Sequence, residues 1–258
     1  MKSVTRLPAL FIGHGNPMNA IEDNIYSCQW IELGKTLPKP RLILCISAHW
    51  ETRGSWLTAM DPPRIIYDFY GFPRELYSVS YPAPGSRELV NLVKDTVKQV
   101  TFLDDHEWGL DHGSWSVLCR MYPGAEIPVV QLSLNRDQPA TFHYALGQAL
   151  RPLRDEGVLI LGSGNMVHNL RLAAWEDGGY DWAVAYDARL NEWIEQGDHE
   201  QVVHYERHGE AAQLSVNSAE HYLPLLYVLG AGYKDEPVSF INETVTMGSI
   251  SMRCVRLG

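Results

Sequence analysis

The chain has 258 residues, of which 21 are Lys or Arg and 31 are Asp or Glu, so its formal net charge at pH 7 is −10. Nucleic acid is an unfavourable partner for such an acidic chain, because binding to phosphates relies on clustered Lys and Arg side chains. No apolar stretch approaches the roughly 18 to 20 residues that span a bilayer, so we expect no membrane segment. The four cysteines form no CxxC pair, and the first apolar run lacks a small-residue cleavage site. We therefore expect a cytoplasmic protein without disulfides.

Short apolar runs rich in β-branched residues alternate with segments of helical spacing along most of the chain. The predicted strands cover residues 7–13, 41–48, 55–59, 127–133, 157–163, 238–246 and 249–253. The predicted helices cover residues 21–37, 86–99, 114–121, 140–155, 182–196 and 222–230. Several strands are apolar on consecutive residues, as strands of a buried sheet are.

This alternation predicts an α/β fold with helices on both faces of a central sheet. The last two strands follow each other directly and predict a hairpin, so the sheet should be mixed but mostly parallel. No repeat or low-complexity linker marks a boundary, and we expect a single catalytic or binding domain over residues 1–258.

Residues 60–85 fit neither the strand nor the helix pattern. The segment holds five prolines, four tyrosines and two phenylalanines, and a long ordered loop of this kind is usually functional. Two interpretations stay open. The segment is either an aromatic arm packed on the core or a second subunit, or a wall over a flat apolar substrate that supplies stacking surface and no metal ligand.

Three histidines follow predicted strands, namely His14, His49 and His168. In open α/β sheets, ligands bind in the crevice beyond the carboxyl ends of the strands. A lone histidine beside a strand is more often a structural residue, but three at equivalent strand ends converge on one crevice. Because imidazole is a common metal ligand, the pattern predicts a metal site.

The other histidines are less clearly assigned. His112 stands in the turn before the helix predicted at 114–121, where hydrogen bonding at the helix start and a role in an active site are equally open. His221 follows Glu220, and either side chain could reach a metal. We expect three further histidines on the surface: His106, His143 and His199. The sequence GSGN at 162–165 lacks the third glycine of a dinucleotide-binding loop and the GKS or GKT of a P-loop, so we set nucleotide binding aside.

Six motifs occur in order along nearly the whole chain: FIGHGNPMNAI, ISAHWE, YDFYGFP, YPAPG, DHGSWSVL and EHYLPLLY. Together they resemble the LigB-type, or class III, extradiol ring-cleavage dioxygenases, and most closely the 4,5-DOPA dioxygenase branch. The resemblance implies a non-haem metal enzyme. Its substrates would be O2 and a catechol such as DOPA, and its product a ring-opened semialdehyde.

The resemblance also implies roles for individual residues. His14 and His49 match the two metal-binding histidines, His168 matches the catalytic acid–base residue, and His112 matches a second active-site histidine. The third ligand is His221 in the DOPA branch, whereas Glu220 stays open because protocatechuate-type members use a glutamate. The expected pocket walls are aromatic: Tyr67, Phe69, Tyr70 and Trp115.

An all-histidine site would hold one divalent metal per chain. We expect Fe(II) for activity, but neutral nitrogen donors also suit Zn(II), which a purified sample could carry. His168 could then act as a fourth ligand. The sequence predicts no particular oligomeric state.

Two alternative functions stay open. One is a zinc hydrolase with Glu220 or Glu51 as general base, although no HExxH motif is present. The other is a non-enzymatic protein that keeps the fold, which the presence of every motif histidine argues against.

Overall fold

The computed structural model describes residues 5–174 and 176–258, so residues 1–4 of the predicted domain and Trp175 lie outside the described residues. The strands are β1 (Ala9–Gly13), β2 (Leu42–Thr52), β3 (Ser55–Thr58), β4 (Phe102–Asp105), β5 (Val129–Asn135), β6 (Val158–Gly164), β7 (Val238–Ile241), β8 (Val245–Thr246), β9 (Ile250–Ser251) and β10 (Cys254–Leu257). The α-helices are α1 (Ile25–Thr36), α2 (Arg87–Thr96), α3 (His112–Met121), α4 (Ala140–Leu150), α5 (Asp181–Glu195), α6 (His199–Val203), α7 (Gly209–Ser215) and α8 (Leu223–Ala231).

Eight strands form one twisted sheet in the order β4-β3-β5-β2-β6-β1-β10-β7. The central strands β5, β2, β6 and β1 are mutually parallel, and every residue of β5 and β6 is buried. Their carboxyl ends meet at one edge, where Gly13 pairs with Gly164 and Ser47 with Ser163. This edge is where the predicted histidines should converge.

Both faces of the sheet carry a hydrophobic core. Along β2, Leu44 and Ile46 face a core covered by α2, α4, α5 and α8, whereas Ile43 and Cys45 face one covered by α1 and α3. Side chains of a strand alternate between its two faces, so a strand that is apolar throughout serves both cores. The predicted α/β fold with a mixed, mostly parallel sheet is confirmed.

The C-terminal strands differ from the prediction. The predicted strand 238–246 is interrupted at Asn242, whose φ of 55° is left-handed and ends the extended conformation. The predicted hairpin forms between β8 and β9, but these strands make a separate two-stranded sheet. The main sheet is mixed because the unpredicted β10 pairs antiparallel with β1, and β3 pairs antiparallel with β5.

The surface prediction for His143 is wrong. Its side chain is fully buried in α4, and its Nδ1 atom lies 3.0 Å from the hydroxyl oxygen of Tyr227 in α8. Burial lowers the pKa of His143 to about 4. The histidine therefore packs as a neutral residue in the interface between two helices.

Within the described residues, no helix is both long enough and apolar enough to cross a membrane.

Candidate metal centre and active site

The parallel sheet edge places His14 and His49 side by side. His14 follows β1 directly, and its backbone N–H donates a hydrogen bond to the Gly164 carbonyl at the end of β6. His49 does not end its strand as predicted. It lies within β2, in the irregular stretch between Ile46 and Glu51 where the pairing with β5 shifts register. The Nε2 atoms of His14 and His49 are 3.2 Å apart.

His112 is the first residue of α3, and the start of that helix is packed tightly against β2. The buried carboxylate of Asp111 caps the helix and accepts a 2.7 Å hydrogen bond from the Ser47 hydroxyl. A Cβ atom on Gly113 would lie 2.5 Å from Ser47 Oγ and 2.8 Å from His49 Cδ2, so this close approach requires glycine. As a result, the ring centroids of His49 and His112 are 3.9 Å apart.

His221 and His168 complete the cluster from the opposite side. His221 lies just before α8, and a Cβ on Gly164 would come within 2.1 Å of its carbonyl oxygen, so glycine allows this segment to pack against β6. The His168 ring stacks on the His221 ring. The His221 centroid lies 5.3 Å from that of His14 and 5.0 Å from that of His49.

The ligand atoms of these side chains form two adjoining groups, each with its atoms within 4.8 Å of one another. One group is His14, His49 and His112, and the other is His168, Glu220 and His221. The structure thus brings together every histidine that the sequence analysis assigned to the site. It groups His112 with His14 and His49, whereas the resemblance implied that His221 is the third ligand beside them.

Four of the five histidines have an oxygen atom next to Nδ1. His14 Nδ1 lies 3.0 Å from Ser163 Oγ, His49 Nδ1 3.3 Å from Asp68 Oδ2, His112 Nδ1 3.0 Å from Asp68 Oδ1, and His221 Nδ1 3.2 Å from Glu220 Oε1. Carboxylates only accept hydrogen bonds, and the Ser163 hydroxyl donates its own hydrogen to the Gly113 carbonyl. For His14 and His221 these hydrogen bonds place the proton on Nδ1 and leave a lone pair on Nε2. The Nδ1 atoms of His49 and His112 lie in close contact with the Asp68 carboxylate.

Burial lowers the pKa of four of the site histidines, which keeps them neutral. It lowers the pKa of His14 and His221 well below the usual value, and the neighbouring histidines lower it further. Burial also lowers the pKa of His49 to about 3 and that of His168 to about 4. Neutral imidazole is the form that binds a metal ion, so these rings are ready to act as ligands at neutral pH.

The contact between His14 and His49 fits a shared cation. Two Nε2 atoms at 3.2 Å either share a hydrogen or lie beside the same positive charge. Nitrogen ligands at about 2.0–2.1 Å from a tetrahedral ion are about 3.3–3.4 Å apart, close to the observed separation. The donor set of neutral imidazoles suits a divalent transition metal.

Asp68 is a site residue that the sequence analysis missed. It belongs to residues 60–85, from which only stacking surface was expected, yet its side chain is 18% exposed and contacts both His49 and His112. Burial raises the pKa of this carboxyl, but its contacts with the two histidines outweigh burial and hold the pKa below its usual value. The only sign of Asp68's role in the sequence is that it is an acidic residue within the aromatic run YDFYGF, and this does not indicate which side chains it contacts.

The predicted aromatic residues lie at different depths. Trp115 is fully buried in α3, and the rings of Tyr67 and Phe69 pack against it. Phe69 also meets the ring of His112 edge to face, with centroids 5.5 Å apart. Tyr70 is 92% exposed. Trp115 thus supports the loop from the core, Phe69 lies beside the site, and contact of all four with a substrate stays a prediction.

The family model described as the catalytic LigB subunit of aromatic ring-opening dioxygenase matches residues 9–256. The chain belongs to the LigB family. The resemblance drawn from the six motifs is therefore confirmed, and with it the enzyme class, an aromatic ring-opening dioxygenase.

Two relatives and one solved structure are similar to this LigB protein along nearly their whole length. It is 48% identical to the 4,5-DOPA dioxygenase extradiol of Escherichia coli (strain K12), in an alignment that covers 99% of this chain and 96% of the relative. It is 41% identical to the protein of the same name from Beta vulgaris, covering 93% and 92% of the two chains. The crystal structure of an uncharacterized protein from Escherichia coli K12 superposes with a TM-score of 0.85 at 44% identity, covering 98% of this chain and all of the other.

Proposed function

We propose that this LigB protein opens the ring of a DOPA-like catechol by extradiol 4,5-cleavage with O2, and that residues 1–258 act as one catalytic domain for this reaction. The observation that carries the proposal is the arrangement of three histidine rings from separate parts of the chain. The centroids of His14, His49 and His221 form a nearly equilateral triangle with sides of 5.1, 5.3 and 5.0 Å. Imidazoles that bind one ion through Nε2 have such near-equal separations.

The triangle favours His221 over His112 as the third ligand. With His112 in its place the sides are 5.1, 3.9 and 5.8 Å, which is too uneven for three equivalent ligands. Glu220 accepts from His221 Nδ1 and from the Ser218 hydroxyl, so its carboxylate acts as the partner of a ligand. Three ligands on one side leave positions open for a bidentate catecholate and O2, as in other facial iron sites.

We propose Fe(II) as the working metal, held by His14, His49 and His221. Fe(II) bound there supplies the redox chemistry by which O2 and a catecholate react, which redox-inert zinc lacks. Zn(II) can occupy the same nitrogen donors in purified protein, with His168 as a possible fourth ligand.

His168 is the proposed acid–base residue. Within the described part of the chain, its ring nitrogens make no hydrogen bond to protein, so they are free to accept a proton from a catechol hydroxyl and return it after cleavage. His112 is the proposed hydrogen-bond partner of the second hydroxyl. The ring of Phe69 beside His112 offers apolar surface to the face of the substrate.

The DOPA-like substrate is supported by the relatives. Two proteins that align over more than nine-tenths of this chain are named as 4,5-DOPA dioxygenases. A shared fold does not by itself fix a substrate, so the test must compare several catechols.

The test is oxygen uptake after anaerobic loading of the metal-free protein with Fe(II). We expect uptake with DOPA and related 3,4-dihydroxyphenyl compounds, and a ring-opened product that gains both atoms of ¹⁸O2. The zinc-loaded protein serves as the control and should consume no O2. If the iron-loaded protein consumed no O2 with any catechol, the proposal would be refuted. If the zinc-loaded protein hydrolysed an ester or amide substrate, the alternative function of a zinc hydrolase would be favoured.

A further inference from the structure

One carboxylate lies between two of the site histidines. Asp68 Oδ2 is 3.3 Å from His49 Nδ1, and Asp68 Oδ1 is 3.0 Å from His112 Nδ1. The backbone N–H of His112 donates a hydrogen bond to Oδ1, at 2.9 Å. The two oxygens therefore each face the Nδ1 atom of one ring.

Hydrogen bonds within the fold fix the position of this carboxylate. The segment around it is held by backbone hydrogen bonds, from Ile66 to the Leu110 carbonyl and from Leu110 to the Arg64 carbonyl, each 2.8 Å long. The hydroxyl of Tyr67 donates to the carbonyl of Val79 at 2.7 Å. These contacts anchor the chain on both sides of Asp68 next to the start of α3.

We propose that Asp68 is a positioning residue that fixes the tautomer and orientation of both His49 and His112. This inference rests on the proposed function, in which His49 binds the metal and His112 faces the substrate. A carboxylate that accepts a hydrogen bond from Nδ1 raises the basicity of a ligating imidazole and locks its ring. Asp68 also supplies, beyond the ligands themselves, the negative charge that an all-histidine ligand set lacks.

The shared carboxylate has a specific consequence. Because one side chain serves a ligand and a neighbouring active-site histidine, a single substitution should weaken metal binding and, at saturating metal, also lower turnover. The aromatic segment then contributes more than stacking surface for the substrate, since its Asp68 orients the rings of His49 and His112.

Asp68→Asn tests this role with little change in size. The amide nitrogen is a donor, so it cannot accept from a second Nδ1–H, and one of the two contacts must be lost. The matched control is Asp61→Asn in the same segment. Asp61 accepts a 3.0 Å hydrogen bond from the backbone N–H of Gly85, which the asparagine carbonyl can also accept.

The measurement is a titration of the metal-free proteins with Co(II), followed by visible absorption, together with their melting temperatures. We expect Asp68→Asn to raise the Kd for Co(II) by about 10- to 100-fold, while Asp61→Asn keeps the wild-type Kd. A variant that melts earlier but binds Co(II) with the wild-type Kd would show a purely structural role and overturn the proposal. If the wild-type protein itself bound no Co(II), the proposed function would fail instead.

A second measurement needs no variant. In ¹⁵N NMR spectra of the metal-free wild-type protein, we expect His49 and His112 to carry their proton on Nδ1. Protonation of either ring on Nε2 would contradict the inference even if Asp68→Asn did not fold.

Discussion

The imidazole rings of His168 and His221 stack face to face, with centroids 3.5 Å apart and planes inclined by 6°. The backbone N–H of His168 is held by the Ser215 carbonyl at 2.9 Å, so the ring is positioned by its backbone and by stacking. The stack joins the proposed acid–base residue to a proposed metal ligand. It leaves the edge of His168 available for proton transfer.

Replacing His168 should strongly lower turnover while the metal stays bound. We expect His168→Ala to lower kcat by about 10²- to 10⁴-fold, the usual contribution of a placed proton-transfer group. His168→Phe is the matched variant because it preserves the stacked ring without a titratable nitrogen. Metal analysis and steady-state kinetics check both, and an unchanged kcat in either variant would remove His168 from the mechanism.

Alanine variants should separate the metal ligands from the neighbouring histidine. We expect His14→Ala, His49→Ala and His221→Ala to hold well below one metal per chain, because each removes one corner of the triangle of rings. His112→Ala should keep its metal and lose activity. Elemental analysis of the purified proteins decides the outcome. Stoichiometric metal in His221→Ala would move the third ligand to His112 or Glu220.

If the aromatic segment forms a wall of the substrate pocket, substitutions in it should change the affinity for substrate and leave the metal content unchanged. Phe69→Ala should raise the KM for catechol by up to about tenfold, since an aromatic contact contributes about 0.5–1.5 kcal/mol. Tyr70→Ala should have a smaller effect, and metal content should stay at the wild-type level in both. If the substitutions changed the oligomeric state measured by sedimentation and left KM unchanged, residues 60–85 would form a subunit contact.

Deletion of residues 67–73 is a less specific test of the wall. The deletion also removes Asp68, which contacts His49 and His112. We therefore expect it to reduce metal binding as well as substrate affinity.

His143 should make the folded protein less stable in mild acid. Burial lowers its pKa from 6.5 to about 4, so the unfolded chain binds a proton that the folded chain excludes. The stability contributed by neutral His143 is complete above pH 6.5 and is lost as the pH falls towards 4. We expect this loss to be about 1–3 kcal/mol.

The check is urea unfolding of the metal-free wild type and His143→Gln between pH 7 and pH 4. The glutamine variant should lose part of the pH dependence in this window. Equal slopes for the two proteins would show that His143 is not the titrating group.

The sequence by itself determined the order and type of most elements. Apolar runs of four to eight residues identify buried strands, and helical spacing identifies the helices that cover them, because both patterns report burial locally. Strand β4 was not predicted because it is a short edge strand whose last two residues, Asp104 and Asp105, interrupt the apolar pattern. Strand β10 was not predicted because the predicted strand ended at residue 253, whereas in the structure β9 ends at Ser251 and a new strand begins at Cys254.

The sequence also predicted which histidines come close together. His14 and His168 follow buried strands, and parallel strands end at one edge, so their convergence follows from the topology. The motif resemblance added His112 and His221, whose position at the starts of helices carries no signal of its own.

Only the tertiary structure decided how these side chains pair. His14 meets Ser163 across 149 residues of chain, and Asp68 reaches His112 from a loop that has no regular pattern. Such contacts depend on how separate elements pack, and the tautomer and spacing of the rings depend on those contacts in turn. Local sequence patterns report the burial and periodicity of a segment, whereas the partner of each polar atom is fixed when the elements assemble.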